Sequence, residues 1–313
     1  MRIVFMGTPE FAVPSLEILV KNNRNVVMVV TQPDKPRGRG YRVSCCAVKE
    51  CAQKYNIPVI QPEKIGSSEA VEQLRQLKPD LFVTCAFGQF LTRDVLNIPR
   101  LGTVNVHGSL LPKYRGAAPI QWAIINGEKK TGVTTMLTVL KMDAGDILLS
   151  KEININDDMT AGQLHDRMSI LGAELLLDTI QRLEEGNITP IPQDEAEATY
   201  APRIDRETGK INWDAPARAI HNLVRGTDPW PGAYSFLNGK RMRIWKTTVY
   251  DEEKISGEKP GTIIEVNKDG FIVQAGKGIL NISEIQCDSG KRMKVEQYIC
   301  GYKVKSGDCF GSE

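Results

Sequence analysis

The sequence predicts an α/β protein of two domains: a doubly wound, mostly parallel Rossmann-like sheet domain, followed by a smaller β-rich, OB-like barrel domain. Three observations carry that expectation. Residues 1–150 alternate short apolar runs with amphipathic segments at the spacing of βαβ units. Residues 189–207 lose all periodicity. Beyond them, several short β-rich runs are divided by Gly and Asn-Gly turns. The expected division is 1–188 for the first domain, 189–207 for a linker and 208–313 for the second domain.

In chain order, a strand is expected over Arg2–Met6, a helix over Val13–Lys21 and a second strand over Val26–Thr31. Val59–Gln61, Leu81–Ala86 and Thr103–His107 read as further strands, with helices between them around Ala47–Tyr55 and Glu69–Leu77. Gly132–Thr138 and Ile147–Ile153 are candidate edge strands, the latter a candidate for antiparallel pairing. A long helix follows. Thr160 and Gln163 have capping-box spacing, and Leu164, Met168, Leu171, Leu175, Ile180 and Leu183 recur as a core-facing stripe. The linker holds Pro190, Pro192, Pro202 and the acidic run Asp194-Glu195-Ala196-Glu197. The second domain has one helix, Ala215–Arg225, and strands over Arg241–Tyr250, Gly261–Asn267, Gly270–Ala275 and Ile279–Ile285.

Composition narrows the function classes. With 41% apolar and 25% charged residues the chain can bury a large core, which excludes wholesale disorder. The net charge is only +2, too mild to mark a nucleic-acid binder, although the excess lies beyond Arg206 and permits a local basic face. The seven cysteines are odd in number and none forms a C-x-x-C pair, so free thiols in a reducing cytosol are expected. No apolar stretch matches a signal peptide or a membrane span, and the expected location is cytoplasmic.

Gly7-Thr8-Pro9 follows the first strand where a dinucleotide-binding fold would place G-x-G-x-x-G, but Pro9 stands at the second glycine position. That substitution blocks close approach of a pyrophosphate, so the sheet is expected to serve another ligand. Asn105 and His107 lie two apart on a strand, so both point to one face while Val104 and Val106 point to the other. An amide can donate to a developing oxyanion and an imidazole can carry a proton, a pairing suited to acyl transfer. Polar residues capping a strand end are the plainer reading of the same spacing.

The run Gly108-Ser109-Leu110-Leu111-Pro112-Lys113-Tyr114-Arg115-Gly116-Ala117-Ala118-Pro119 decides between them. Together with Asn105-Val106-His107 and Met142-Asp143-Ala144-Gly145-Asp146, it resembles the signature of the folate-dependent formyltransferases. The likeness extends over nearly the whole chain. It includes Phe5-Met6-Gly7-Thr8-Pro9-Glu10-Phe11-Ala12, Thr31-Gln32-Pro33-Asp34, the Gly38-Arg39-Gly40 loop and Asp228-Pro229-Trp230-Pro231. Within the family, the Gly-Thr-Pro start, the basic loop and the second domain favour the branch that acts on initiator methionyl-tRNA.

The resemblance implies a catalytic trio of Asn105, His107 and Asp143, with 10-formyltetrahydrofolate as the formyl-donor cosubstrate and the α-amine of methionyl-tRNA as acceptor. Asp143 either favours the charged imidazole by its opposite charge or positions a water that accepts the amine proton. The pterin is expected against main-chain groups of Phe87, Gly88, Gln89, Phe90 and Leu91, with Ser109, Leu110, Leu111 and Pro112 bordering the folate. Pro112 is a candidate cis residue. Arg37, Arg39 and Arg42 are expected at the tRNA acceptor end, and Arg241, Arg243, Lys291, Arg292 and Lys294 along a phosphate track on the second domain. No metal site is expected, because His107, His165 and His221 are far apart in sequence. A monomer is the expected state. Two rivals share parts of this pattern: a formyltransferase acting on a nucleotide-linked amino sugar, and a noncatalytic RNA-binding protein whose barrel supplies the function.

Overall fold

The computed structural model describes residues 1–37, 42–288 and 290–311, with the side chains of 35–37 and 42–44 excepted. Two compact units divide the chain. The first comprises Met1–Pro119, Lys130–Asn154 and His165–Ala201, and the second Ile120–Lys129, Ile155–Leu164 and Pro202–Glu313.

In the first unit, strands β1 (Arg2–Gly7), β2 (Asn25–Val30), β5 (Val59–Ile60), β6 (Leu81–Cys85), β7 (Thr103–His107), β9 (Lys130–Leu137) and β10 (Ile147–Asn154) form one sheet, ordered β10-β9-β7-β6-β1-β2-β5. The short hairpin β3 (Lys35–Arg37) and β4 (Arg42–Ser44) stands apart, and β8 (Arg115–Gly116) pairs in parallel with β11 (Tyr200–Ala201). Strands β1, β2, β5, β6 and β7 are parallel. β9 runs antiparallel to both β7 and β10, so the reversal comes one strand earlier than expected. Parallel strands need apolar residues on both faces, and Ile3, Val4, Phe5 and Met6 are all fully buried.

Helices α1 (Val13–Lys21), α2 (Ala47–Lys54), α3 (Ser68–Gln76), α4 (Arg93–Leu96), α5 (Pro119–Ile125) and α6 (Ala161–Glu184) lie between or after these strands. The expected capping box of α6 forms reciprocally: Gln163 N–H donates to Thr160 Oγ1 and Thr160 N–H to Gln163 Oε1, at 3.3 and 3.1 Å. Gly172 of α6 sits so close to β7 that a Cβ there would lie 2.9 Å from Val106 Cγ1. Helix α6 therefore covers the valine face of β7 and leaves the Asn105 and His107 face to the site.

The second unit holds α7 (Ala217–Gly226), α8 (Val295–Gly301) and an antiparallel sheet. Its strands are β12 (Ala233–Leu237), β13 (Lys240–Asp251), β14 (Ile263–Asn267), β15 (Gly270–Gln274), β16 (Ile279–Cys287), β17 (Met293–Lys294) and β18 (Phe310–Gly311). The order β14-β15-β16-β13-β12-β18 curls back on itself, because Phe310 N–H donates to the Gly261 carbonyl and Ile263 N–H to the Asp308 carbonyl, both at 2.8 Å. Ile244, Ile263, Phe271, Leu280, Ile282 and Phe310 fill the interior of this barrel-like sheet. The expected Rossmann-like and OB-like architectures both match.

The division differs from 1–188, 189–207 and 208–313 in three places: 120–129, 155–164 and 189–207, of which 202–207 open the last stretch of the second unit. Residues 189–201 belong to the first unit, held by reciprocal Ile147–Ile191 backbone bonds at 2.8 Å and by the β8–β11 pairing. Residues 120–129 and 155–164 belong to the second, where the Asn156 and Met159 carbonyls accept from buried Arg225. Aperiodic, proline-rich sequence signals missing long secondary structure, and backbone hydrogen bonds to neighbouring segments can still fasten such a stretch. Among the described residues, no helix is long and apolar enough to cross a membrane.

Candidate active site

Strand β7 ends at the carboxyl edge of the sheet, where open α/β folds bind ligands. Thr84 on β6 stands opposite Asn105 and its Oγ1 donates to Asn105 Oδ1 at 2.8 Å. With the amide in this orientation, its NH₂ group turns away from Thr84 and meets no acceptor among the described residues. His107 is buried and its Nε2 lies 3.0 Å from the Tyr114 carbonyl. A carbonyl only accepts, so Nε2 carries a hydrogen and Nδ1 is left as the atom that gains or loses a proton.

Asp143 faces that atom, with Oδ2 3.7 Å from His107 Nδ1. The distance suits an ion pair and exceeds a hydrogen bond. Asp143 adopts φ +49°, in the left-handed region, and its Oδ2 accepts from Gly116 N–H at 2.8 Å. The structure thus joins His107 and Asp143, and it places Asn105 on the same face of the same strand as His107. Asp143 comes from the turn between β9 and β10. Gly145 in that turn approaches Leu137 so closely that a Cβ would lie 1.7 Å from its carbonyl oxygen, which restricts the position to glycine.

The expected folate-binding residues divide into two groups. Ala86 and Gly88 adopt φ +47° and +84°, and the N–H groups of Gly88, Gln89, Phe90 and Leu91 make no hydrogen bond among the described residues. Phe90 is 73% exposed. Phe87 and Leu91, in contrast, point into the core of the first unit, and the Phe87 carbonyl accepts from Thr8 Oγ1 and Gln32 Nε2 at 3.1 and 3.2 Å. The Gln89 side chain is committed to Ile65 N–H and the Pro62 carbonyl. Ser109 is fully buried and donates to the Lys113 carbonyl at 2.6 Å, while Leu111 N–H donates to Thr134 Oγ1. The Leu111–Pro112 bond is cis. These bonds shape the turn after β7 and leave main-chain groups of 88–91 as the open polar surface.

At the basic loop, Arg39 lies outside the described residues, as do the side chains of Arg37 and Arg42. At its base, Lys49 Nζ pairs with Asp34 Oδ2 at 2.5 Å, and Gln61 Nε2 donates to Asp34 Oδ1 at 2.9 Å. The Lys49 bond, followed by that from Gln61, holds the Asp34 carboxyl below its ordinary range.

In the second unit, the Arg241 guanidinium stacks 3.8 Å from the Tyr234 ring, and the Nε atoms of Arg241 and Arg243 are buried without a hydrogen-bond partner. Lys291 and Lys294 are exposed. Arg292 is engaged with Glu284 at 2.7 Å and Asp228 at 3.3 Å. Burial pushes the Asp228 carboxyl up, and Arg292 opposes that shift.

Sequence reasoning missed the supports of the trio. Thr84, Gln193 and Glu195 carried no signal, and Tyr114, Arg115 and Gly116 were read only as parts of a motif. Arg115 is completely buried, which its sequence context did not foretell. Among the described residues no cluster of His, Cys, Asp and Glu could hold a metal ion.

Residues 1–180 match the formyl transferase family, and residues 203–303 match the formyl transferase C-terminal domain. The methionyl-tRNA formyltransferase of Acetivibrio thermocellus is 57% identical over 311 residues, covering 99% of this chain and 100% of that relative. The protein of the same name from Ruminiclostridium cellulolyticum is 53% identical over 311 residues, with the same coverage. Among solved structures, an N-formyltransferase from Helicobacter canadensis in complex with folinic acid and dTDP-3-aminofucose superposes with a TM-score of 0.68 at 23% identity, covering 90% of this chain and 98% of that one. This last likeness concerns the fold.

Proposed function

The chain belongs to the methionyl-tRNA formyltransferase family, and from that premise we propose that Asn105, His107 and Asp143 move a formyl group from 10-formyltetrahydrofolate to the α-amine of initiator methionyl-tRNA. One observation carries the assignment: Asn105 and His107 share one face of β7, with the Asn105 oxygen on Thr84 Oγ1 and its NH₂ open.

Attack of the neutral amine on the formyl carbon forms the new C–N bond and moves the carbonyl electron pair onto oxygen. The Asn105 NH₂ donates to that oxyanion. His107 keeps its Nε2 hydrogen on the Tyr114 carbonyl and exchanges the travelling proton at Nδ1. The Asp143 carboxylate, 3.7 Å away, balances the charge while the proton rests there. His107 thus takes one proton from the attacking amine and returns one to folate N10 as the C–N10 bond breaks. The products are a formamide and tetrahydrofolate, with no net proton gained or lost.

The free N–H groups of 88–91 suit the acceptor atoms along the edge of a pterin, and Ser109, Leu110, Leu111 and Pro112 would border the rest of the cosubstrate. Arg37, Arg39 and Arg42 would meet the acceptor end of the tRNA, and Arg241, Arg243, Lys291 and Lys294 its backbone. No metal is needed for this chemistry, and the enzyme would act as a cytoplasmic monomer. The test compares methionyl-tRNA, free methionine and a nucleotide-linked amino sugar as acceptors with 10-formyltetrahydrofolate. Formylation of methionyl-tRNA alone is expected, and preference for the amino sugar would overturn the reading.

A further inference from the structure

Gln193 uses every polar atom of its side chain on the Asp143 turn and on one buried arginine. Its Nε2 donates to the carbonyl oxygens of Asp143 and Gly145 at 2.9 and 2.7 Å. Its Oε1 accepts from Arg115 Nε and Nη2 at 3.0 and 2.8 Å. Carbonyls only accept and a guanidinium only donates, so this amide has a single workable orientation. Arg115 is completely buried, and its Nη1 donates to both carboxylate oxygens of Glu195 at 3.0 and 3.1 Å. Glu195 also pairs with Lys141, two residues before Asp143, at 2.5 Å. The Lys141 and then the Arg115 bonds hold the Glu195 carboxyl below its ordinary range, so it stays an anion opposite the two cations.

Arg115 is the middle residue of a tripeptide whose two flanks touch the trio. On one side the Tyr114 carbonyl accepts from His107, and on the other Gly116 N–H donates to Asp143. One buried guanidinium therefore anchors the backbone that orients His107 and, through Gln193, the turn that carries Asp143. That turn needs an external hold, because Asp143 sits in the left-handed region at φ +49°, which a non-glycine residue adopts at a cost.

We propose that Gln193 is a positioning residue for Asp143, acting through the Asp143 and Gly145 carbonyls and held in place by Arg115. The inference rests on the catalytic reading of Asp143.

Gln193→Glu is the informative substitution. It keeps an acceptor for Arg115, now charged, but replaces the donor facing two carbonyls with an acceptor, so the turn is repelled while the anchor survives. Expected are a fall in kcat of roughly tenfold or more with KM for 10-formyltetrahydrofolate nearly unchanged, a displaced pH profile of kcat, and a melting temperature close to that of the parent protein. Gln193→Met, which removes donor and acceptor alike at similar volume, should show the same kcat loss and serves if the charged variant folds poorly.

The decisive comparison places each substitution in an Asp143→Ala background. A residue that works through Asp143 should cost nothing further there. Full additivity of the two losses, or wild-type kcat in both folded Gln193 variants beside an impaired Asp143→Ala, would overturn the positioning role alone. Wild-type kcat in Asp143→Ala would instead overturn the catalytic reading of Asp143, and the positioning role with it.

Discussion

Thr84 Oγ1 donates to Asn105 Oδ1 across neighbouring parallel strands at 2.8 Å. The bond occupies the amide oxygen and leaves the NH₂ group open. An amide whose oxygen faced the substrate would repel an oxyanion, whereas this one presents hydrogens to it.

Thr84→Val keeps the shape and removes the donor. Freed from that bond, the Asn105 amide can turn over, and kcat is expected to fall about 3- to 30-fold with little change in folate affinity. Asn105→Ala should fall by roughly 10²-fold or more, the scale for one oxyanion donor. Steady-state kinetics at saturating methionyl-tRNA check both. A Thr84→Val enzyme as slow as Asn105→Ala would mean that the threonine does more than orient the amide.

If His107 carries the proton, His107→Ala is expected to lower kcat by roughly 10²-fold, while folate still binds. Single-turnover measurement of formyl transfer, with folate binding followed separately, tests this. Near-wild-type turnover would move the proton relay elsewhere, for instance to water held by Asp143.

The parallel strands were legible because burial on both faces demands unbroken apolar runs such as Ile3-Val4-Phe5-Met6. Asn105 and His107 were legible as a pair because strand periodicity puts alternate residues on one face. The grip on Asp143 was not. Gln193 lies 50 positions from Asp143 and 78 from Arg115, and such pairings follow from tertiary packing with no local period to reveal them. The prolines at 190 and 192 announced missing secondary structure, which the linker reading took for missing contacts. Gln89 was expected to contribute through its main chain, and the sequence did not show that its side chain is tied to Ile65 N–H and the Pro62 carbonyl.

Stability should depend on pH through His221. This buried ring contacts Thr247 Oγ1 through Nδ1 and the Asp157 carbonyl through Nε2, both at 3.0 Å, a set that suits the neutral form. Burial lowers its proton affinity below the ordinary value of 6.5. The unfolded chain therefore binds the proton first. As pH falls from 6.5 towards the lowered folded-state value, this residue removes stability, at most about 1.4 kcal/mol per pH unit, and above 6.5 its contribution is level. Urea unfolding of His221→Gln between about pH 5 and 8, the span over which histidine ordinarily changes charge, should show a flatter acid limb than the parent. Identical slopes would mean that His221 takes up its proton without hindrance in the folded state.

The basic residues of the second unit should separate by what already holds them. Arg241 is stacked on Tyr234 and its guanidinium is thereby oriented in advance, while Lys291 is exposed. If both meet phosphate, Arg241→Ala and Lys291→Ala should weaken methionyl-tRNA binding and each reduce the slope of log K against log salt by about 1, with the melting temperature little changed. Arg292 is different, because it is the ion-pair partner of buried Asp228 and of Glu284. Removing it leaves a desolvated carboxyl without its cation, so Arg292→Ala should cost about 1–3 kcal/mol of stability, seen as a lowered melting temperature. Burial already pushes the Asp228 carboxyl up, so that loss should shrink as pH falls and Asp228 takes a proton. The salt slope of Arg292→Ala should stay nearer the parent value than those of the other two variants. Salt titrations of tRNA binding beside thermal melts decide it: a full unit lost from the slope of Arg292→Ala with no change in melting would return this arginine to the phosphate track.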